Sequence, residues 1–366
     1  MTMSCPAVRV GEVRASAYTI PTDGDEGDGT YTWNSTTIVI AEVEAGGQAG
    51  LGYSYTDRSA ALIIRDVLGP VVCGCEAFAI SRAHQRMLWR VRNLGRAGVV
   101  ANAISAVDTA LWDLKAKLLS KPLCHLLGPI RDGVPVYGSG GFTTYSLEQL
   151  QEQFGAWVSR GLRWVKMKVG ADPQRDVARV KAARAAIGYA GLFVDANGAY
   201  GCKQGLALAD GFADAQVEWF EEPVSSDDLA GLRFVRERVP AGMDVAAGEY
   251  GFDAFYFRRM LDAEAVDVLQ ADATRCLGFT GLLLADALCV ARGMPLSLHC
   301  APALHLHVAL CLRQLRHQEW FHDHVRIEQM MFDGAPSPRE GVIAPDLQRP
   351  GLGLELKTAD IAKYRI

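Results

Sequence analysis

Polar and apolar positions alternate with a period of two from Val8 to Tyr18 and again from Ser35 to Glu44, as strands with one buried face require. Between them, Pro21-Thr-Asp-Gly-Asp-Glu-Gly-Asp-Gly29 is glycine-rich and irregular, and is expected not to hold a fixed strand. The glycines between Gly46 and Gly52 break the alternation, which returns briefly at Tyr53 to Tyr55. A helical period then takes over from Ser59 to about Leu68, from Glu76 to about Leu94 and from Ala103 to about Leu119.

From Val134 onward the pattern changes to short apolar segments separated by helical ones. The first, Val134-Pro-Val-Tyr137, is followed by Ser139, Gly140, Gly141 and Thr143, whose hydroxyls suit either substrate contact or loop filling. In the second, Trp164-Val-Lys-Met-Lys-Val-Gly170, the period of two puts Lys166 and Lys168 on one face and Val165, Met167 and Val169 on the other. Two ammonium groups in one mouth repel each other and lose hydration, and both effects lower a lysine pKa toward the range of a general base. By itself the Lys-x-Lys equally describes an exposed strand face with two solvated charges.

Three further segments each end in a carboxylate: Leu192-Phe-Val-Asp195, Glu218-Trp-Phe-Glu221 and Asp244-Val-Ala-Ala-Gly-Glu249. Three converging carboxylates without counter-ions repel severely; a hard divalent cation relieves this, and an all-oxygen site suits magnesium or manganese rather than zinc. Leu269-Gln-Ala-Asp272, Leu296-Ser-Leu-His299 and a segment around Glu319 continue the series. The steps of roughly 20 to 30 residues are those of strand-plus-helix units, which places the polar residues at the C-terminal ends of parallel barrel strands.

On these residues the chain resembles the enolase superfamily, and within it the mandelate racemase subgroup, over nearly its whole length. The helix Ala103-Ile-Ser-Ala-Val-Asp-Thr-Ala-Leu-Trp-Asp-Leu-Lys-Ala-Lys-Leu-Leu119 is similar to a signature helix of that family. The resemblance implies an α/β fold: a modified TIM barrel, (β/α)7β, with an α+β N-terminal capping domain completed by the C-terminal tail. Residues 1–128 would form the cap with a substrate-selecting lid at about 20–33, residues 129–330 the barrel, and residues 331–366 the segment packing back on the cap. Carried over, it makes Lys168 a general base and Lys166 its electrostatic partner beside the substrate carboxylate. Asp195, Glu221 and Glu249 become ligands of one Mg2+, Asp272 and His299 a dyad on the opposite side, and Glu319 a hydrogen-bond partner of the nascent enolate.

The implied activity is magnesium-dependent removal of the proton α to a carboxylate, followed by loss of water from a sugar acid to give a 2-keto-3-deoxy acid. Racemisation or epimerisation is the alternative outcome of the same intermediate. Relatives that cycloisomerise muconate or epimerise dipeptides carry a lysine on the sixth strand, where this chain has Asp272. A Schiff-base aldolase using Lys166 or Lys168, or a non-catalytic sugar-acid binding protein, leaves three strand-end acids and an Asp/His pair unexplained. The family is usually oligomeric, so a homo-oligomer from dimer to octamer is expected.

Candidate substrate contacts are Asn197, Ser139, Arg275 and the lid aromatics Tyr31 and Trp33. Arg275 fits either a fixer of the sixth-strand loop, which is preferred, or a carboxylate-binding group. No lysine or arginine intervenes between Arg14 and Arg58, whereas Asp23, Asp25, Glu26 and Asp28 cluster in the lid. Such a lid favours a monocarboxylate, such as an aldonic acid, over an aldaric acid. Asp108 and Asp113 precede the barrel amid core-type residues and are read as structural. So are His125, as a packed helix-end residue, and His305, His307, His317, His322 and His324, as structural or supporting groups. Cys300 is expected to alternate away from the site.

A length of 366 residues accommodates a barrel and a smaller companion. With 49% hydrophobic and 22% charged residues, a net charge of −5 and no long basic run, nothing suggests nucleic acid as a partner. No apolar run reaches transmembrane length, and Met1-Thr-Met-Ser-Cys-Pro6 lacks the regions of a signal peptide, so a cytoplasmic protein with a small carboxylate substrate is expected. Nine scattered cysteines point to reduced thiols, and Cys73-Gly-Cys75 lacks the further ligands a metal would need.

Overall fold

Three antiparallel strands, β1 (Glu12–Gly27), β2 (Thr32–Ala45) and β3 (Gln48–Tyr55), form the capping sheet in a computed structural model that describes residues 7–366. The Met1 to Pro6 segment, read above as lacking a leader, lies outside the described residues. The alternation of β2 explains its central place. Ile38 and Ile40 face the core shared with the barrel, while Val39, Ala41 and Val43 face the helices of the cap.

The irregular Pro21–Gly29 segment, expected not to hold a strand, lies largely within β1. A register shift between Pro21 and Glu26 absorbs the extra residues, after which Glu26 pairs with Trp33 and its Oε2 accepts from Trp33 Nε1 at 2.9 Å. Glu26 is fully buried. Desolvation, reinforced by the charge of Asp323, pushes its carboxyl up from 4.5 to about 9. The folded protein therefore holds a proton that the unfolded chain releases above its ordinary carboxylate range, and stability declines as pH rises from there toward 9. Glu26→Gln is expected to raise the thermal midpoint at about pH 8 and to leave it unchanged near pH 4. An equal shift at both pH values in calorimetry would contradict this.

The glycines that interrupt the third strand's pattern serve a close approach. A Cβ on Gly50 or Gly52 would lie 2.1 Å from a backbone carbonyl, Ala110 O or Ala106 O, of helix α1 (Val99–Leu118), which packs across β3. Gly52→Ala is expected to destabilise the protein by about 1–3 kcal/mol, read from the denaturant midpoint. Asp108 and Asp113 on α1 are buried and tie segments together. Asp108 accepts from Thr280 N and Thr280 Oγ1, and Asp113 from Leu51 N and Leu352 N. His125, expected to be packed, is exposed, because it lies on the outer face of the short helix Leu123–Leu127.

Eight parallel strands close the barrel: β4 (Val134–Gly140), β5 (Trp164–Lys168), β6 (Gly191–Asp195), β7 (Val217–Glu221), β8 (Asp244–Ala247), β9 (Val268–Ala271), β10 (Leu296–Leu298) and β11 (Leu315–Phe321), with β11 pairing back on β4. Seven helices fill the crossovers, the last being α2 (Pro302–Ala309), and α3 (His322–Met331) follows β11 directly. Val165, Met167 and Val169 face the outer helices, whereas the rings of Tyr137, Phe193, Trp219 and His317 pack against one another inside the barrel. This aromatic layer excludes water below the charged residues of the same strands. The cap rests on the C-terminal ends of the strands through Tyr53 Oη to Glu328 Oε1 at 2.6 Å and Ser54 Oγ to Thr274 O at 2.7 Å. Among the described residues no helix is long and apolar enough to cross a membrane, and the eight cysteines are free thiols.

Candidate active site

Alternation along β5 turns both lysines inward, and the neighbouring strands bring acids to them. Lys166 Nζ lies 2.7 Å from Glu221 Oε1, 2.8 Å from Glu319 Oε1 and 3.5 Å from Asp195 Oδ2. Lys168 Nζ lies 2.5 Å from Asp195 Oδ2 and 3.0 Å from Asn197 Oδ1. These acids reverse the expected titration. Burial and the facing ammonium do lower Lys168, but Asp195 and the other carboxylates outweigh them and raise it, and Glu221 and Glu319 raise Lys166 likewise. The mutual repulsion of the lysines, the only charge effect legible from one strand, is the smaller one.

Asp195, Glu221 and Glu249 are buried and bring one oxygen each within 4.8 Å of one another. Glu249 follows the end of β8 through Gly248, whose φ of +135° and close contact with Gln270 O exclude a side chain there. Desolvation and the negative charge of Asp195 push Glu221 up to about 8, so the triad as built repels itself. Glu249 Oε2 is buried without a hydrogen-bond partner. Three convergent carboxylates with an orphaned oxygen fit a hard divalent cation.

After β10, His299 Nδ1 lies 2.8 Å from Asp272 Oδ2. Burial alone would raise Asp272, yet the hydrogen bond and charge of His299, with His305 and Arg275, hold it well below the usual carboxylate range. His299 Nε2 is thereby left for the cavity, 3.4 Å from Glu249 Oε2. Glu319 accepts from Cys300 N at 3.0 Å.

A cavity of about 180 Å3 is lined by Lys168, Asn197 and His299, the lysine coming from β5 and the histidine from the end of β10, which are not neighbouring strands. Trp33 and Arg275 also line it. Arg275 is committed to the loop, with Nη1 3.2 Å from Glu249 Oε1 and Nε 3.7 Å from Asp272 Oδ2. Two candidates lie elsewhere. Tyr31 is 70% exposed and stacks on the outer side of Trp33, because the turn closed by Asp28 carries it outward. Ser139 is fully buried and does not reach the cavity.

Two cavity residues contradict expectation. Cys300 was expected to point away, but β10 ends at Leu298, and positive φ values at Cys300 and Ala301 (45° and 42°) turn the chain back. Its Sγ lies 3.2 Å from His299 Nε2. His324, set aside as structural, stacks on Tyr55 and lines the cavity, as do Asp28 and Thr36 of the cap. The remaining histidines are structural or supporting: His305 Nε2 accepts from Ala273 N, His317 meets Ser297, and His322 pairs with Asp23 of the lid.

Family models match in two blocks: mandelate racemase/muconate lactonizing enzyme, N-terminal domain, over residues 29–128, and enolase C-terminal domain-like over residues 149–361. The chain belongs to the mandelate racemase subgroup of the enolase superfamily. Among its relatives in that subgroup, the 3,6-anhydro-alpha-L-galactonate cycloisomerase of Streptomyces coelicolor is 32% identical over 361 residues, 95% of this chain and 97% of the relative. The L-talarate/galactarate dehydratase of Salmonella typhimurium is 31% identical over 77% of this chain and 73% of the relative. A mandelate racemase/muconate lactonizing enzyme-like structure from Rubrobacter xylanophilus superposes with a TM-score of 0.96 at 49% identity, covering 98% of this chain and 100% of that one. A racemase structure from Streptomyces coelicolor with bound magnesium has a TM-score of 0.91 at 29% identity, covering 98% and 100%.

Proposed function

We propose that this protein removes the proton α to the carboxylate of a sugar acid and then expels the β-hydroxyl as water, giving a 2-keto-3-deoxy acid. The observation that carries the reading is that Lys168 on β5 and His299 after β10, on strands that are not neighbours in the barrel, line one cavity, while the triad comes from β6, β7 and the end of β8, which lie between them in the strand order. Dehydratases and cycloisomerases of acid sugars among the relatives support it.

A proton next to a carboxylate is weakly acidic because its removal leaves a doubly negative enolate. Magnesium held by Asp195, Glu221 and Glu249 would supply fixed positive charge at the substrate carboxylate and offset the acids that raise the lysines. Lys166, held by Glu221 and Glu319, adds a second positive charge on the same side. Burial alone would raise Glu319, yet Lys166 and His299 hold it well below the usual carboxylate range, so it donates to the enolate only if the substrate's own negative charge drives a proton onto it. Lys168, in its neutral form, takes the α-proton from one face and keeps it as the ammonium. His299, protonated on both nitrogens with Nδ1–H held by Asp272, gives its own Nε2 proton to the departing hydroxyl from the other and is left neutral. The aromatic layer below keeps water from the enolate.

The same opposed pair supports a second reading. With an acid that has no β-hydroxyl to lose, protonated His299 gives its own proton to the α-carbon on the face opposite Lys168, and the outcome is racemisation or epimerisation.

An acid-sugar library assayed with magnesium for keto-acid formation, and for α-deuterium exchange in heavy water, tests both. Keto acid from at least one sugar acid is expected. Exchange without loss of water would establish the epimerase, and neither with any acid would reject both.

A further inference from the structure

The cavity has a second part, made by residues other than the proton-transfer groups. Its wall is formed by Asp28, Trp33 and Thr36 of the cap, and by Phe321 and His324 from the end of β11 and the start of α3. Three features of that wall bear on what it binds.

The first is charge. Asp28 Oδ1 is fixed by Thr30 N at 2.6 Å and Tyr31 N at 2.7 Å, so this acid is part of the lid's own turn. No lysine or arginine occurs between Arg14 and Arg58 to offset it. Both guanidiniums near the wall are already engaged: Arg275 by Glu249 and Asp272, over the Tyr250 ring at 5.3 Å, and Arg326 by Asp323 Oδ1 at 2.6 Å and Pro21 O at 2.7 Å. A substrate carboxylate at this end would meet an acid and no free cation.

The second is His324. Its ring is clamped flat on Tyr55, with centroids 3.4 Å apart and planes within 11°, and Phe321 meets its edge. Nδ1 is buried without a partner. Burial, with the charges of His299 and Arg275 acting the same way, holds the imidazole well below its ordinary pKa and therefore neutral. In a neutral ring one nitrogen carries the proton, and a buried N–H without an acceptor is costlier than a bare lone pair. The proton therefore belongs on Nε2, the nitrogen left for the cavity.

The third is Thr36. Its hydroxyl donates to Asp323 Oδ2, which leaves its lone pairs as acceptors. The wall thus offers an N–H donor, a hydroxyl acceptor and a carboxylate acceptor, and Trp33 and Phe321 also line it. This is the recognition chemistry of vicinal hydroxyls.

We propose that Asp28, Thr36 and His324 form a subsite for the uncharged polyol end of an aldonate, with His324 Nε2 donating to a distal hydroxyl. The inference rests on the enolate reading for the position of the other end of the substrate, and it adds that aldonates, not aldarates, are the substrates.

The test uses the magnesium-loaded full-length protein, wild type and His324→Leu. Aldonates, their matching aldarates and aldonates lacking the terminal hydroxyl are compared by calorimetric binding, kcat and KM, and α-deuterium exchange. The wild type is expected to favour each aldonate over its aldarate, and over its deoxy analogue, at least about tenfold in kcat/KM. In His324→Leu the preference over the deoxy analogue should collapse, mainly through a raised KM for the aldonate. His324→Asn, which keeps an N–H donor, should restore part of the preference. A merely structural histidine would lower all substrates together, and that result overturns the assignment of His324. Aldarates exceeding every aldonate overturn the substrate class. Ligands that bind in the expected order without any exchange would uphold the subsite and reject the reaction.

Discussion

Lys168→Met is expected to lower turnover by about a thousandfold or more while leaving the fold and substrate binding intact. Methionine preserves the aliphatic stem on the inward face of β5 and deletes only the ammonium that stands 2.5 Å from Asp195 and 3.0 Å from Asn197. In the metal-loaded protein Asp195 keeps a positive neighbour, so the buried carboxylate is not stranded. His299→Asn should be comparably damaging to dehydration, since it removes the group assigned to the departing hydroxyl. The two variants differ in what they retain. If the bases face opposite sides of the α-carbon, each variant should still exchange the α-proton of the epimeric acid that presents it to the surviving base. Turnover within tenfold of wild type in Lys168→Met, with circular dichroism unchanged, would remove the lysine from the chemistry.

Chelation is expected to abolish activity completely and added magnesium to restore it, because without a cation three buried carboxylates, with oxygens within 4.8 Å of one another, face the enolate's own negative charge. Glu249→Gln should weaken cation binding by at least about tenfold, measured with manganese by calorimetry or electron paramagnetic resonance, independently of turnover. Loading the wild type should also raise its thermal midpoint, since the cation binds the folded chain and not the unfolded one. Full activity in chelator, with borohydride trapping substrate on Lys166 or Lys168, would instead require Schiff-base chemistry.

The barrel and its charged residues are legible in the sequence for one reason. Each of Lys166, Lys168, Asp195, Glu221, Asp272, His299 and Glu319 sits on or just after a short apolar segment whose period of two fixes which side chains turn inward. The rule fails where a strand has ended. Cys300 was read by alternation, but β10 stops at Leu298 and two left-handed residues redirect the chain, so parity no longer applies. Glu249 escaped the same error only because its apolar run was read as ending in an acid. The lid defeated the pattern differently, since a register shift inside β1 lets a glycine-rich segment pair with β2. The titration of the lysines depends on carboxylates from four other strands, which a single strand does not reveal. His324 carried no motif at all. Only the closing of β11 on β4 and the overlay of the cap bring it to the cavity.

Trp219 belongs to the aromatic layer, and its indole Nε1 also donates to Glu221 Oε2 at 2.9 Å. A fluorophore is thereby hydrogen-bonded to a carboxylate whose charge is shared with whatever the triad holds. Emission from this indole should shift when the triad is loaded, so a wild-type minus Trp219→Phe difference spectrum gives a label-free optical titration of site occupancy, with no substrate in the cuvette.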